Sequence, residues 1–361
     1  MITRRKTRKI YVGSVPIGGD APISVQSMTK TDTRNVKETL SQIFRLKEAG
    51  CEIVRVSVPD KESVRALKEI KKESPLPVIA DIHFNHRLAL ESIENGADCL
   101  RINPGNIGDK EKLKTIIKSA KNKEISIRIG INSGSLEKHI LKKYGATTAE
   151  AMVESALNNI KFFEDMDFRD IKISIKASDV ERTVKAYRLL GEKVDYPFHV
   201  GITEAGTYFS GTIKSSIGIG ILLYEGIGDT IRVSLTSNPE EEVKVAWEIL
   251  KSLGLRKRGV EIVSCPTCSR LEVNLIPIVS EIERRLANLD YPLHLAIMGC
   301  VVNGPGEASE AEIGLACGKG VGLIYRKGEI QKKVKEDEMI DELIKTINIY
   351  LKEKTIDFKI L

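Results

Sequence analysis

Aromatic side chains are scarce in this sequence: 5% of its 361 residues, with a single tryptophan. Proteins that grip nucleic acid combine a basic stripe with aromatic platforms. Here the formal net charge is only +6 on a chain that is 29% charged, which makes a nucleic-acid module a poor match. The cations between Arg4 and Lys9 are expected to form a solvent-facing arm. No run of eighteen apolar residues occurs, so no membrane-spanning helix is expected. The opening residues are basic but lack the apolar stretch of a secretory leader. The six cysteines are therefore expected in a reducing, cytoplasmic interior, where clustered thiols serve metals or catalysis rather than disulfides.

What is present is a repeat. With 42% hydrophobic residues the chain can build a large domain and a smaller one. Short apolar runs at Ile23–Met28, Cys51–Val58, Pro77–His83, Cys99–Asn103, Ser126–Ile131, Ile171–Lys176, Phe198–Ile202 and Thr230–Leu235 alternate with helical patterns, among them Asn35–Ala49, 61–73, 86–95, 148–165 and Val180–Leu190. Parallel strands need such crossovers, and eight units in sequence fit a closed (β/α)8 TIM barrel. A doubly wound sheet would carry a Gly-rich fingerprint after its first strand, and none is there. Past Arg256-Lys-Arg-Gly259 the repeat stops. The expected domains are residues 1–258, the barrel that binds substrate, and residues 259–361, a small α+β domain with strands near 261, 293, 311 and 321 and a helical tail from Asp337.

The expected strand ends carry polar residues in place of apolar ones: Arg55 and Ser57, Asp81 and His83, Arg101 and Asn103, Arg128 and Asn132, Lys172 and Lys176, His199 and Glu204, Arg232 and Ser234. In a barrel these converge on one mouth, and the spacing of two within several pairs turns both side chains the same way. Cations inside apolar strands are costly without anionic partners. A ligand with two phosphates would supply them, guanidinium forks gripping its oxygens; an internal network neutralised by Asp81 and Glu204 is the alternative. His83 and His199 fit either proton donors or satisfied hydrogen-bonding groups. Cys51 and Cys99 begin strands and belong at the far end of the barrel as core filling.

The C-terminal domain concentrates its chemistry in Ser264-Cys-Pro-Thr-Cys268 and Met298-Gly-Cys-Val-Val-Asn-Gly-Pro-Gly-Glu307. Two thiols three positions apart can reach one metal, and glycine and proline let a loop bend around a bulky inorganic group. A closed zinc site needs four nitrogen or sulfur ligands, yet neither Cys-x-x-Cys nor His stands beside Cys300, and His294 lies in an alternating strand. Three thiolates and one weaker ligand instead suit an iron–sulfur cluster that keeps one iron available to substrate. Glu307 is the first choice for that ligand and Cys317, in the glycine-rich stretch Ile313–Lys319, is its rival. A set of buried, inert thiols is the remaining alternative.

In motif order, Val25-Gln-Ser-Met-Thr29, Leu100-Arg-Ile-Asn-Pro-Gly-Asn106, Arg128-Ile-Gly-Ile-Asn132, His199-Val-Gly-Ile-Thr-Glu-Ala-Gly206 and the two cysteine loops span nearly the whole chain. The sequence so resembles the bacterial 4-hydroxy-3-methylbut-2-enyl diphosphate synthase family. That resemblance implies a barrel plus an iron–sulfur domain, acting reductively on 2-C-methyl-D-erythritol 2,4-cyclodiphosphate. It implies a 4Fe–4S cluster held by Cys265, Cys268, Cys300 and Glu307, and a homodimer in which the cluster domain of one subunit closes the barrel of the other. It assigns substrate contacts to Arg55, Asp81, His83, Arg101, Asn103, Arg128, Asn132, Lys176 and Ser234, and makes Glu204 the acid near the reacting carbons. Cys317 stands where a small residue such as glycine is expected. Two electrons would arrive singly from ferredoxin or flavodoxin. A barrel enzyme for another phosphorylated substrate with structural zinc is the competing reading.

Overall fold

The computed structural model describes residues 2–356. The chain divides into two compact units, one ending at Arg256 and the next beginning at Lys257. Unit one opens with an antiparallel hairpin, β1 (Ile10–Val12) and β2 (Val15–Ile17). Eight strands follow: β3 (Ser24–Met28), β4 (Ile53–Ser57), β5 (Val78–Ile82), β6 (Cys99–Ile102), β7 (Ser126–Asn132), β8 (Ile171–Lys176), β9 (His199–Val200) and β10 (Thr230–Ile231). They lie side by side and parallel in chain order, with β10 returning to β3. Between β8 and β9 the ring closes through a parallel bridge of Ile173 to Phe198 and a hydrogen bond from Ile173 N to Pro197 O. This is the expected barrel, with helices between the strands. The seventh and eighth strands are shorter than the apolar runs that announced them.

Local sequence explains the helices that tilt against it. Asn35 caps Val36–Glu48 by accepting from Glu38 N, and Asp60 caps Lys61–Glu73 by accepting from Ser63 N. In the second of these, Ser63, Val64, Ala66, Leu67 and Ile70 form the buried stripe at helical spacing. Alternate strand residues meet these helices: Val54 and Val56, Val78, Ala80 and Ile82, Ile127 and Ile129, Ile171, Ile173 and Ile175 all join the main core. The other parity therefore faces the barrel axis. At the N-terminal end of the strands Ile53, Ile79 and Cys99 pack beneath Ile10, Val12 and Ile17, so the hairpin seals that end.

The cations near the N-terminus are not a free arm. Arg4 pairs with Asp229 at 2.9 Å, Arg5 donates to Val194 O and Tyr196 O with its guanidinium over the Phe198 ring, and Arg8 pairs with Asp195. Burial against the barrel gives these side chains acceptors that a sequence pattern does not display.

Unit two is a five-stranded sheet ordered β11 (Val260–Ser264), β12 (Leu293–Met298), β13 (Ile313–Gly318), β14 (Val321–Arg326) and β15 (Glu329–Lys335). The first three are parallel and the last two antiparallel. Helices Leu275–Leu286 and Met339–Glu353 cover one face, burying Leu293, Leu295, Ile313, Leu315 and Ile324. On the other face Ala308, from the short helix Gly304–Glu310, packs against Ala316 and Tyr325. Helix Leu275–Leu286 and strand β15 were not expected from the sequence, the strand because its residues are mostly exposed lysine and glutamate. Among the described residues no helix is long and apolar enough to cross a membrane.

Candidate anion-binding mouth and thiol loops

On the inward parity, near the C-terminal strand ends, the barrel carries charge. Strand register places Asp81 beside Arg101, Arg101 beside Arg128, and Arg128 beside Lys172, while Asn132 lies beside Lys176. Arg101 Nη1 donates to Asp81 Oδ1 at 3.1 Å; Arg55 Nε and His83 Nε2 stand 3.5 and 3.6 Å from Oδ2. Burial alone would raise the Asp81 carboxyl, but Arg55, the His83 ring and Arg101 hold it well below the carboxylate range. Arg55, Arg101, Arg128, Lys172 and Lys176 are buried cations in this stretch, and Asp81 is the buried acid among them.

The remainder is frustrated. Arg128 has no hydrogen-bond partner among the described residues at Nε or Nη1, nor has Arg101 at Nε or Arg232 at Nε. Burial, then repulsion from Arg55 and Arg101, pulls the Arg128 guanidinium well below its ordinary value. Lys176 is pulled down in the same way by burial and by Arg128, Arg232, Arg55 and Arg101, and Arg55 falls to about 9 through burial against the pull of Asp81. His199 is fully buried, and among the described residues neither ring nitrogen has a hydrogen-bond partner; burial and the charges of Lys176 and Arg128 pull it well below 6.5. Unpartnered buried donors of one sign cost several kcal/mol each, a cost that an anion brought to the mouth would offset. Glycines make the room: a methyl group on Gly130 would lie 2.7 Å from Arg101 Nε, and one on Gly201 would lie 2.7 Å from Lys176 Nζ.

Not every expected residue is free to bind. Asn103 spends its amide on Ser135 Oγ and caps the helix Pro104–Ile107 through Gly105 N. Ser234 is half-buried beyond β10 and Asn132 ends β7 at the rim. Glu204 is exposed in the loop after β9 with φ at 51°, a left-handed backbone that a non-glycine residue adopts at a cost of about 1 kcal/mol or more. Sequence reading missed Glu242. Lying in the run Glu240-Glu241-Glu242 at a helix start, it passes for a solvated charge, yet it is 1% exposed. It accepts from Ser27 Oγ and Leu235 N, and pairs with Lys30 at 3.1 Å and Arg232 at 3.4 Å. The available signal was helical spacing, since Glu242 shares a buried stripe with Ala246 and Ile249. A groove of about 710 Å³ on the outer wall, lined by Lys161, Glu164, Asp195 and Tyr196, lies where the chain enters β8 and β9, away from these cations.

In unit two the parallel register Ser264 to Ile297 brings both cysteine loops to one end of the sheet. Cys265 is half-buried beside Gly299, where an added methyl group would stand 3.4 Å from its sulfur and 2.3 Å from Leu271 Cδ2. Cys268 is exposed, and Thr267 between them takes φ of 58°. Backbone N–H groups of Val302 and Asn303, aided by Arg270, hold the Cys300 thiol below its ordinary 9.0 against the opposing effect of burial. Glu307 sits exposed on the short helix after Cys300. Cys317 differs: it faces the helix-covered core against Met339 Sδ, and burial pushes its thiol up to about 12. Among the described residues no three cysteine, histidine or acidic side chains already stand close enough to hold a metal. The donor chemistry nevertheless fits an iron–sulfur group: free thiols, amide hydrogens aimed at one of them, and glycine where a side chain would intrude.

Fold and mouth together define a (β/α)8-barrel protein with a buried excess of cations near its axis, joined to a thiol-bearing α+β unit. The chain belongs to the GcpE family: the model described as the GcpE TIM-barrel domain matches residues 7–247, and that of the GcpE protein C-terminal domain matches residues 261–349. It is 58% identical over 351 residues to "4-hydroxy-3-methylbut-2-en-1-yl diphosphate synthase (flavodoxin)" of Geobacter sulfurreducens, covering 97% of this chain and 99% of that one. To the protein of the same name from Clostridium acetobutylicum it is 60% identical over 345 residues, covering 96% and 99%. Among solved structures, dihydropteroate synthase of Yersinia pestis superposes with a TM-score of 0.50 at 12% identity, covering 68% of this chain and 97% of that one. A 3-dehydroquinate dehydratase of Geobacillus kaustophilus does so at 0.50 and 11%, covering 69% and 99%. These two likenesses speak to the barrel fold alone.

Proposed function

We propose that the protein is the reductive enzyme that opens 2-C-methyl-D-erythritol 2,4-cyclodiphosphate and removes a hydroxyl to give 4-hydroxy-3-methylbut-2-enyl diphosphate. Membership of the GcpE family and the names of relatives near 60% identity support the reaction. The observation that carries it on this chain is the buried excess of cations inside the barrel, where among the described residues Arg128 lacks a hydrogen-bond partner at Nε and Nη1 and Arg101 and Arg232 lack one at Nε. A cyclic diphosphate offers the charge they lack.

Arg55, Arg101, Arg128 and Lys176 anchor the diphosphate, with Asp81 and His83 orienting the guanidinium forks; Asn132 and Ser234 complete the rim, and Asn103 fixes the turn after β6 behind them. Ring opening breaks a carbon–oxygen bond, and the same cations hold the charge released on the diphosphate. Glu204 gives a proton to the departing hydroxyl, which leaves as water. Cys265, Cys268, Cys300 and Glu307 would hold a 4Fe–4S cluster, which would pass on the electrons of the reduction one at a time. Flavodoxin, which the names of the relatives specify, is the carrier. Two copies associate so that the thiol-bearing unit of one closes the barrel mouth of the other, a part of the proposal that rests on the family resemblance.

The deciding experiment is anaerobic assembly of the cluster with iron and sulfide analysis, followed by turnover of the cyclic diphosphate. Glu204→Gln is expected to keep cluster absorbance and substrate affinity while losing at least about a hundredfold in kcat, within the usual worth of a general acid. Full activity in that variant removes Glu204 from the mechanism, and a zinc-bearing colourless protein inert toward the substrate removes the proposal.

A further inference from the structure

Strand β10 ends at Ile231, yet the chain beyond it is held. Side chains grip the Leu235 residue at both polar groups of its backbone: its N–H donates to Glu242 Oε1 at 3.0 Å, and its carbonyl accepts from Lys30 Nζ at 2.8 Å. Lys30 also donates to Ser237 O, and its Nζ stands 3.1 Å from Glu242 Oε1, so the two gripping groups fix each other. The second oxygen of Glu242 accepts from Ser27 Oγ on β3 at 3.1 Å. A buried carboxylate with donors on both oxygens is a rigid point.

From that point the contacts run to the loop after β9. Thr236 N donates to Gly206 O at 2.9 Å, and Thr207 and Thr236 form a parallel bridge. A methyl group on Gly211 would lie 2.7 Å from Leu235 Cδ2 and 3.0 Å from Gly206 O, so the Leu235 side chain is wedged where the helix Tyr208–Tyr224 begins. The same loop carries Glu204. Just before it Thr203 N donates to Ala177 O at 3.2 Å, and just after it Ala205 is 2% exposed. The Glu204 side chain is exposed, but its left-handed backbone persists only where neighbours hold it.

We propose that Glu242 is a positioning residue for Glu204: with Lys30 it fixes the Leu235–Thr236 segment, and that segment fixes the loop from which the acid reaches substrate. The inference rests on the functional reading above, in which Glu204 gives the proton. Glu242 is 1% exposed and so acts through the backbone it holds. Neutralising Arg232 is the plainer role for such an acid. Yet Arg232 is its most distant partner, at 3.4 Å, whereas Leu235 N, which carries no charge to neutralise, is met at 3.0 Å.

The test uses the cluster-loaded full-length protein unaltered, as Glu242→Gln, as Glu204→Gln and with both changes. The amide keeps the shape of the carboxylate but accepts at one end only. In Glu242→Gln, hydrogen exchange read by mass spectrometry should be at least about tenfold faster over residues 203–208 and 233–237 and unchanged in strands β4 to β7. With Glu204 intact, the same change should lower kcat at least about tenfold, the scale on which a small misplacement acts. With Glu204 already Gln it should cost less than about twofold, because both changes then remove one interaction. A merely structural role gives equal losses in the two backgrounds, and that result overturns the proposal. Unchanged exchange in both segments overturns it as well, and that measurement needs no substrate. Should Glu242→Gln fail to fold, Lys30→Met removes the other grip on Leu235 and carries the same measurements. Full activity of Glu204→Gln overturns the acid and its positioning together. Absence of turnover in the unaltered protein overturns the functional reading instead, and exchange alone then decides whether Glu242 holds the loop.

Discussion

At the scale of single residues the barrel interior is governed by an unequal contest between burial and charge. His199 illustrates it. Its imidazole is enclosed, without a hydrogen-bond partner among the described residues and near Lys176, Arg128 and Arg55, so burial and like charge both oppose its protonation in the folded state. The folded pKa lies below the unfolded value of 6.5, so below that pH the unfolded chain binds a proton that the folded chain refuses. Stability therefore falls with acidity, by up to about 1.4 kcal/mol per pH unit from this one group. Urea unfolding between pH 7.5 and 5.5 should show that slope, and His199→Asn should flatten it. Asp81 has the same sign lower down: its depressed carboxyl contributes stability that is present above 3.8 and is lost as pH falls beneath it. The type and spacing of Asp81, Arg101 and Arg128 were readable in the sequence. That Arg128 has no partner at Nε or Nη1 among the described residues was not, because it depends on which acids the other strands bring, and Glu242 is turned toward Arg232 and Lys30 instead.

Among elements, strand β7 shows how a glycine serves charge. Gly130 sits where the neighbouring strand's Arg101 crosses toward the axis, and a methyl group there would meet Nε at 2.7 Å. Gly130→Ala is expected to leave the strand intact, since the obstacle is the end of a flexible side chain, but to displace the guanidinium from Asp81. Affinity for inorganic pyrophosphate should fall about tenfold, the equivalent of a crowding penalty near 1.4 kcal/mol, with thermal unfolding little altered. Isothermal titration would measure it; an unchanged affinity would place Arg101 outside the anion site. Helices with caps and clean stripes, such as Lys61–Glu73, were legible to the residue. Strand β15 was not, because an edge strand bearing lysines lacks the alternation that signals burial, and its pairing with β14 is decided by the partner.

For the whole molecule, the division at Arg256 follows from two separate apolar clusters, one filling the space between barrel strands and helices, the other between the C-terminal sheet and its two helices. Arg256 closes the first, donating to Ile23 O and pairing with Glu52 at 3.1 Å. We expect residues 1–256 expressed alone to fold cooperatively, with circular dichroism of an α/β protein and a single thermal transition, because every strand of the barrel and the hairpin sealing it lie within that span. A fragment lacking cooperative unfolding would show that the units depend on each other for stability.

The sequence by itself determined the eightfold alternation, the parity that turns Arg55, Asp81, Arg101 and Arg128 inward, and the two loops carrying Cys265, Cys268 and Cys300, since periodicity and local turn chemistry are properties of neighbours along the chain. Only the tertiary structure decided that the basic N-terminal residues are docked, that Glu242 is buried and that Cys317 belongs to the core. Each of these turns on what a side chain meets from a distant part of the chain, and burial, pairing and the resulting pKa are set by that encounter.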